Sequence, residues 1–493
     1  MKNITAAAFF ALIILSGNLS LSARSASSGD ELSDLSMKKG IVLVRITTIH
    51  YNDLLPWRAQ AGSGYTVLGL VLEGNRILVL SSDIQNASLI EVWKYSSYKK
   101  NIAKIEKRDN EANLAVLSIN DPDFFKDLKP IESGRDPHMG RVVTASTVDN
   151  DFRVHREDVK ITDVRGSSDF GVTTIPFLIF RTQEPFSGGG LLLCGIKLCG
   201  FIGYSNKENR AEAVLPSIIR SVQNGSDHPF VSQGFELEDL EDPVLREYFK
   251  IASDQTGAFV SRVMPGTSAY GVLEEGDIIL NIAGRDIDDR GFYNDPKFGL
   301  QKGQVLLVRD GDRIRRSGEI IPVTIFRNGR KMEVKITLKS YEGNAERIPT
   351  VVEGKPPYLV ESGFVFVELS LPYLRDGYGS SWRSRAIELS YLFDTKRIME
   401  KPGKERIILL VGVLPDEVNR GYENLRSIPV QSVNGKPITD LKQLHDILSA
   451  SNPKHFLMEL TSGMKIFFSS ENREMANKRI QDRYGLPGLS NFK

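Results

Sequence analysis

From Lys38 to about Val222 the chain is a succession of short apolar runs, among them GIVLVRITTI, GYTVLGLVL, RILVL, ANLAVLSI, RVVTAST, FLIFRT and LLLCGIKLCGFIGY, with Gly, Asn and Asp between them. Runs of this length hold strands and leave little room for helix, which predicts a barrel or sandwich. At 493 residues the chain exceeds what one hydrophobic core sustains, so about three domains are expected. After the turn-rich stretch around Asn224, a second unit runs from Gly234 to about Tyr341 and contains GAFVSRVMPGTSAYG, LEEGDIILNIAGRDI and IIPVTIFRNGRKMEVKITL. Strand, turn, short helix, strand and closing hairpin predict a small α+β domain. Glu342 to Pro357 is rich in Glu, Gly and Pro and reads as a linker. A third unit, from about Tyr358 to Glu474, repeats the strand-then-Gly-turn pattern: SVNGKPI echoes NIAGRDI, as in a duplicated module.

Composition removes several function classes. Lys and Arg number 63 against 62 Asp and Glu, so no global field draws nucleic acid or anionic lipid. Lys2, the apolar run Ala6 to Leu15 and the small polar stretch Ser16 to Ser28 have the layout of a secretory signal peptide, with cleavage expected between Ser22 and Ala26. That run is too short to span a bilayer, and no later stretch is long and apolar enough. The expectation is a soluble protein that is exported, periplasmic or secreted. Cys194 and Cys199 are the only cysteines and flank a hairpin turn. An oxidising compartment permits a disulfide, and two small buried apolar side chains are the alternative. Zinc would lack further ligands there, and no metal or other cofactor is expected. GSGY (62–65) and SGGG (187–190) read as turns, not phosphate cradles. Asn86-Ala-Ser and Asn224-Gly-Ser are glycosylation-type sequons.

LPWR, GSGYTVLG, RILVLSSDIQNAS, NEANLAVLSI, PFSGGGLLL, GAFVSRVMPGTSA, EEGDIILNIAGRDI, GKPPYLVESGFVFVELSLPYLRDGYG and IPVQSVNGKPITDLKQL follow one another in an order that resembles the HtrA/Deg group of serine proteases, also called protease Do. The resemblance spans nearly all of the mature chain and is to the plant-type Deg branch. It implies a multidomain, mainly β chain: a signal peptide (1–26), a trypsin-like double β-barrel (36–224), a PDZ domain (232–342), a linker (343–357) and a second, Do-like PDZ domain (358–485). It also implies a homo-oligomer, trimeric or larger, with polypeptides as partners.

The family cleaves peptides with a Ser nucleophile, a His base and an Asp that orients the His. Here Ser187 occupies the nucleophile slot, as a nucleophile or as a turn serine. Asp83 stands in the His slot, after Ile77-Leu78-Val79, as a weak base or a helix cap. Asn113 replaces the orienting Asp, and Asp109 upstream reads as a solvated loop residue. Pro185 takes the place of an oxyanion-hole Gly, and proline has no N–H. His50, His138, His155, His228, His445 and His455 all read as exposed loop residues. The lost triad implies a pseudoprotease that acts as scaffold, chaperone or modulator. The alternative is an endopeptidase using Ser187 and a displaced base.

PDZ domains of the family capture peptides or C-termini by adding a strand to a sheet edge, with loop N–H groups holding the carboxylate. The matching residues are Gly234, Phe235, Glu236 and Leu237, where Glu236 is expected to repel a terminal carboxylate. In the third unit they are Gly363, Phe364, Val365 and Phe366, either a peptide site or core residues of a packed strand. The resemblance gives this last domain contacts between subunits as well.

Overall fold

The computed structural model describes residues 28–52, 55–110, 112–167, 172–183, 186, 188–205, 209–224, 230–252, 254–341, 346–399, 403–450 and 453–492. The signal-peptide reading, His228, Pro185 and Ser187 lie outside them.

Strands β1 (Ile41–Asn52), β2 (Leu55–Leu72), β3 (Arg76–Leu80), β4 (Ala87–Lys94), β5 (Ser97–Asp109) and β6 (Leu114–Ile119) close into one barrel. A second closed barrel is built from β7 (Val142–Val148), β8 (Val154–Ser167), β9 (Ile175–Arg181), β10 (Gly190–Cys194), β11 (Lys197–Ser205) and β12 (Arg210–Val214). The near-continuous apolar character of β2 and β3 has a geometric cause. Successive side chains point to opposite faces. Val67, Val71, Ile77 and Val79 fill the first barrel, while Leu68, Leu70, Leu72, Leu78 and Leu80 pack against the second. Both faces are therefore buried, one inside its own barrel and the other against the second barrel.

The β10–β11 hairpin has a register shift at Leu192/Leu193, and Cys194 and Cys199 are disulfide-bonded across its turn.

The first PDZ domain is an antiparallel sheet ordered Phe235–Glu238, Ala258–Val263, Ile278–Ile282, Ile320–Arg327, Arg330–Thr337. It is seated on the second barrel. Gln301 Nε2 donates to the Val164 carbonyl at 2.5 Å. Arg309 lies 3.5 Å from Asp136, both buried, and stacks 4.2 Å over the Phe298 ring. Burying such a pair costs desolvation, which further hydrogen bonds offset. The amide and hydroxyl of Ser217 supply them, donating to Asp136 at 2.9 and 2.7 Å.

The second PDZ domain has a sheet ordered Tyr358–Glu361, Phe364–Glu368, Ile408–Val413, Ile428–Val433, His455–Leu460, Lys465–Ser469. Helices Leu371–Tyr378, Ile387–Lys396, Leu441–Ser449 and Arg473–Tyr484 accompany it. The Trp57 ring of β2 lies 5.5 Å from the Tyr358 ring, tilted at 57°, and Arg108 of β5 pairs with Glu353 at 2.5 Å, which ties this domain to the first barrel. Among the described residues no helix is long and apolar enough to cross a membrane.

Candidate active site and peptide-binding surfaces

A cleft of about 670 Å³ opens between the barrels. Arg45, Tyr65 and Asp83 line it from the first barrel, and Asp149, Gly188 and Gly189 from the second. Asp83 lies within the short 3₁₀ turn Ser82–Ile84 that follows β3. The turn's cap is Ser81, so the helix-cap expectation for Asp83 gives way to a position inside the turn. Burial alone pushes the Asp83 pKa up to about 7. Its backbone carbonyl accepts the Tyr65 hydroxyl at 2.5 Å. The Tyr65 pKa is raised in turn, first by burial and then by the Asp83 charge.

Asn113 is brought beside this turn because β6 pairs with β3. It adopts φ 52°, a left-handed conformation that Asn tolerates better than most residues. Its carbonyl accepts the Ser81 amide at 3.0 Å and its side-chain Oδ1 accepts the Ser82 amide at 2.8 Å. The orienting-acid slot is thus used to hold the backbone of the base slot. Asp109 is not the solvated loop residue expected from sequence: it is 5% exposed, and its carboxylate accepts the Ala112 amide at 2.9 Å.

On the opposite wall, Gly188 and Gly189 have φ of 84° and 86°. The Gly188 carbonyl accepts the Leu68 amide at 2.7 Å, and Thr147 Oγ1 donates to the Gly189 carbonyl at 2.8 Å. A Cβ on Gly188 would stand 2.9 Å from the Thr66 carbonyl oxygen. Positive φ at both positions is conformational space that glycine enters without steric cost.

None of the five described histidines lines the cleft. His50 contacts Thr48 Oγ1 at 3.2 Å, His138 contacts the Met139 carbonyl at 2.9 Å, and His155 lies 3.7 Å from Asp149. His445 lies on helix Leu441–Ser449, half-buried beside Ser449 at 3.2 Å, and His50, His155 and His455 are exposed but lie on strands, so these four are not the exposed loop residues expected.

The two peptide-site candidates differ. Strand Phe235–Glu238 stands at the end of its sheet, paired on one side with Ala258–Val263. Phe235 is buried, Leu237 is half-buried, and Glu236 forms a cross-strand pair with Arg262 at 3.3 Å. That pairing counters the repulsion expected of Glu236. Strand Phe364–Glu368 instead pairs with Tyr358–Glu361 on one edge and Ile408–Val413 on the other. Neither edge can accept a peptide, so Gly363, Phe364, Val365 and Phe366 follow the packed-strand alternative. Phe364, Val365 and Phe366 are at most 1% exposed. The Gly363 carbonyl accepts the Leu414 amide at 2.7 Å.

PDZ-domain family models match residues 232–291 and 348–489. The chain is 25% identical over 461 residues to "Putative protease Do-like 11, mitochondrial" of Arabidopsis thaliana, covering 91% of this chain and 74% of that one. It is 24% identical over 481 residues to "Protease Do-like 2, chloroplastic" of the same plant, covering 93% of this chain and 75% of that one. Among solved structures, "HtrA-type protease AlgW with decapeptide" matches with TM-score 0.45 and 18% identity, covering 63% of this chain and 98% of that chain. With two six-stranded barrels packed on each other, two PDZ domains in series and relatives aligned over nine-tenths of its length, the chain has the domain order of the HtrA/Deg, or protease Do-like, family and is similar to its Arabidopsis members.

Proposed function

We propose that this chain is an exported pseudoprotease that binds polypeptides through its PDZ architecture, as scaffold, chaperone or modulator of an active relative. The observation behind this reading is the base slot. Asp83 stands there without an imidazole, and Asn113 commits its side-chain oxygen to the Ser82 amide. Loss of triad residues costs about 10⁴- to 10⁶-fold in turnover in serine proteases. Proline at 185 removes an oxyanion donor, worth about 10²- to 10³-fold. The two losses do not multiply, but each alone disables the chemistry. Labelling with a fluorophosphonate tests this directly. The expected result is no adduct on Ser187 in folded protein, and a stoichiometric adduct would refute it.

One observation favours the second reading, an endopeptidase with a replaced base. An Asp83 pKa near 7 makes its carboxylate a stronger proton acceptor than an ordinary aspartate and places its titration near neutrality. That reading requires Ser187 labelling that rises with pH through 7 and disappears in Asp83→Asn.

Peptide binding is assigned to the open edge of Phe235–Glu238, by strand addition. Export rests on Lys2 and the Ala6–Leu15 run; N-terminal sequencing of fractionated protein checks it, and import into an organelle, as the names of the relatives indicate for them, would overturn it. A trimer or larger assembly is expected by light scattering.

A further inference from the structure

Gly234, the first residue of the loop expected to hold a peptide carboxylate, is already in use together with Gln233 before it. The amides of Gln233 and Gly234 both donate to one acceptor, the Val172 carbonyl, at 2.9 and 3.2 Å. Two successive amides converging on one oxygen is the arrangement by which a backbone nest captures a terminal carboxylate. Val172 precedes β9 of the second barrel, more than 60 residues upstream of this loop. The neighbouring contact is equally specific, since the Thr174 amide donates to Gln233 Oε1 at 2.7 Å. The Val172 side chain is fully buried in an apolar cluster with Met264 and Tyr341 of the first PDZ domain and Ile398 of the second. A carbonyl in the nest and an aliphatic side chain in an adjoining apolar site are what a peptide's last residue would supply.

We propose that Val172 is an internal ligand of the first PDZ domain, and that peptides with a free aliphatic C-terminus bind there only by displacing it. The proposal rests on the peptide-binding reading of this domain and adds its regulation. When the competent state is a minor one, apparent affinity falls by the fraction populated. The intact chain therefore binds C-termini weakly, while the edge of Phe235–Glu238 stays available for internal segments.

The test uses the full chain and its Val172→Asp variant, which puts a carboxylate into the apolar cluster and so ejects the segment. Thr174→Pro, which deletes the N–H bonded to Gln233, is the second variant if the first does not fold. Hydrogen exchange at Gln233 and Gly234 reads the lock. Fluorescence anisotropy with twenty fluorescein-labelled decapeptides, differing only in the last residue and each made as free acid and as amide, reads the competition. The expected result is protected amides in the wild type and exchanging amides in the variant. At least one aliphatic free-acid peptide should bind the variant about tenfold tighter than wild type or better, with its amide binding neither. Rapid exchange of both amides in the wild type, or equal tight binding of the acid peptide to both proteins, would overturn the lock while leaving the domain a peptide binder. Protected amides that become exposed in the variant, with no peptide binding to either protein, would instead remove the peptide-binding reading and the competition with it.

Discussion

The two walls of the inter-barrel cleft have kept different things. The second-barrel wall keeps backbone shape: Gly188 and Gly189 hold left-handed conformations and hydrogen-bond across to β2 and β7. The first-barrel wall keeps the turn but carries Asp83 in place of an imidazole, and Asn113 bonds the backbone it faces. Shape at such a site depends on glycines and pairing, whereas catalysis depends on a few side chains whose removal leaves the fold untouched. On the proposed reading, the fold has outlived its reaction and still presents a cleft.

Four changes test how far the two walls differ. The largest effect is expected from Gly188→Val. A β-branched residue is strained at φ 84°, and its Cβ meets the Thr66 carbonyl at 2.9 Å. Urea unfolding should show a loss of roughly 3 kcal/mol, and a loss under about 1 kcal/mol would mean that the wall yields. Next, reducing Cys194–Cys199 frees the hairpin of the same wall. Its five-residue separation makes a short loop, so a cost of about 2 kcal/mol is expected in the presence of reductant.

On the first-barrel wall, Asn113→Ala removes the acceptor for the Ser82 amide and places Ala at φ 52°. A loss of about 1–2 kcal/mol should appear in thermal unfolding, at the low end if water replaces the acceptor.

Asp83→Asn should give the smallest change and the opposite sign. The folded pKa is about 7 against an ordinary 3.8. Between these values the folded state holds a proton that the unfolded state has released, so stability falls as pH rises through this window. The variant should match the wild type below pH 4. Above pH 7 it should be about 1 kcal/mol more stable, a figure reduced for partial exposure to solvent. Equal stability at pH 8 would place Asp83 in water.

Sequence made the barrels and PDZ domains legible because their strands carry the signal in their own residues: RILVL is β3 and the Cys194–Cys199 hairpin joins β10 and β11. The apolar ESGFVFVEL stretch left two alternatives, since a continuous run marks a strand buried on both faces without saying whether its edges are free. Asp109 was misread because an acid in a polar loop gives no sign that it accepts the Ala112 amide. The rise in the Asp83 pKa depends on the cleft that surrounds it, which local pattern does not report. Val172 was missed altogether. Its contact is through a backbone carbonyl to a loop distant in sequence, and no side-chain pattern encodes that.

The most direct test of lost catalysis is casein cleavage by the purified mature protein beside its Ser187→Ala variant, both checked for folding, at pH 8 where Asp83 is ionised. A pseudoprotease leaves casein intact in both samples. Cleavage by the wild type that disappears in Ser187→Ala would contradict it and make Asp83 the first candidate for the base.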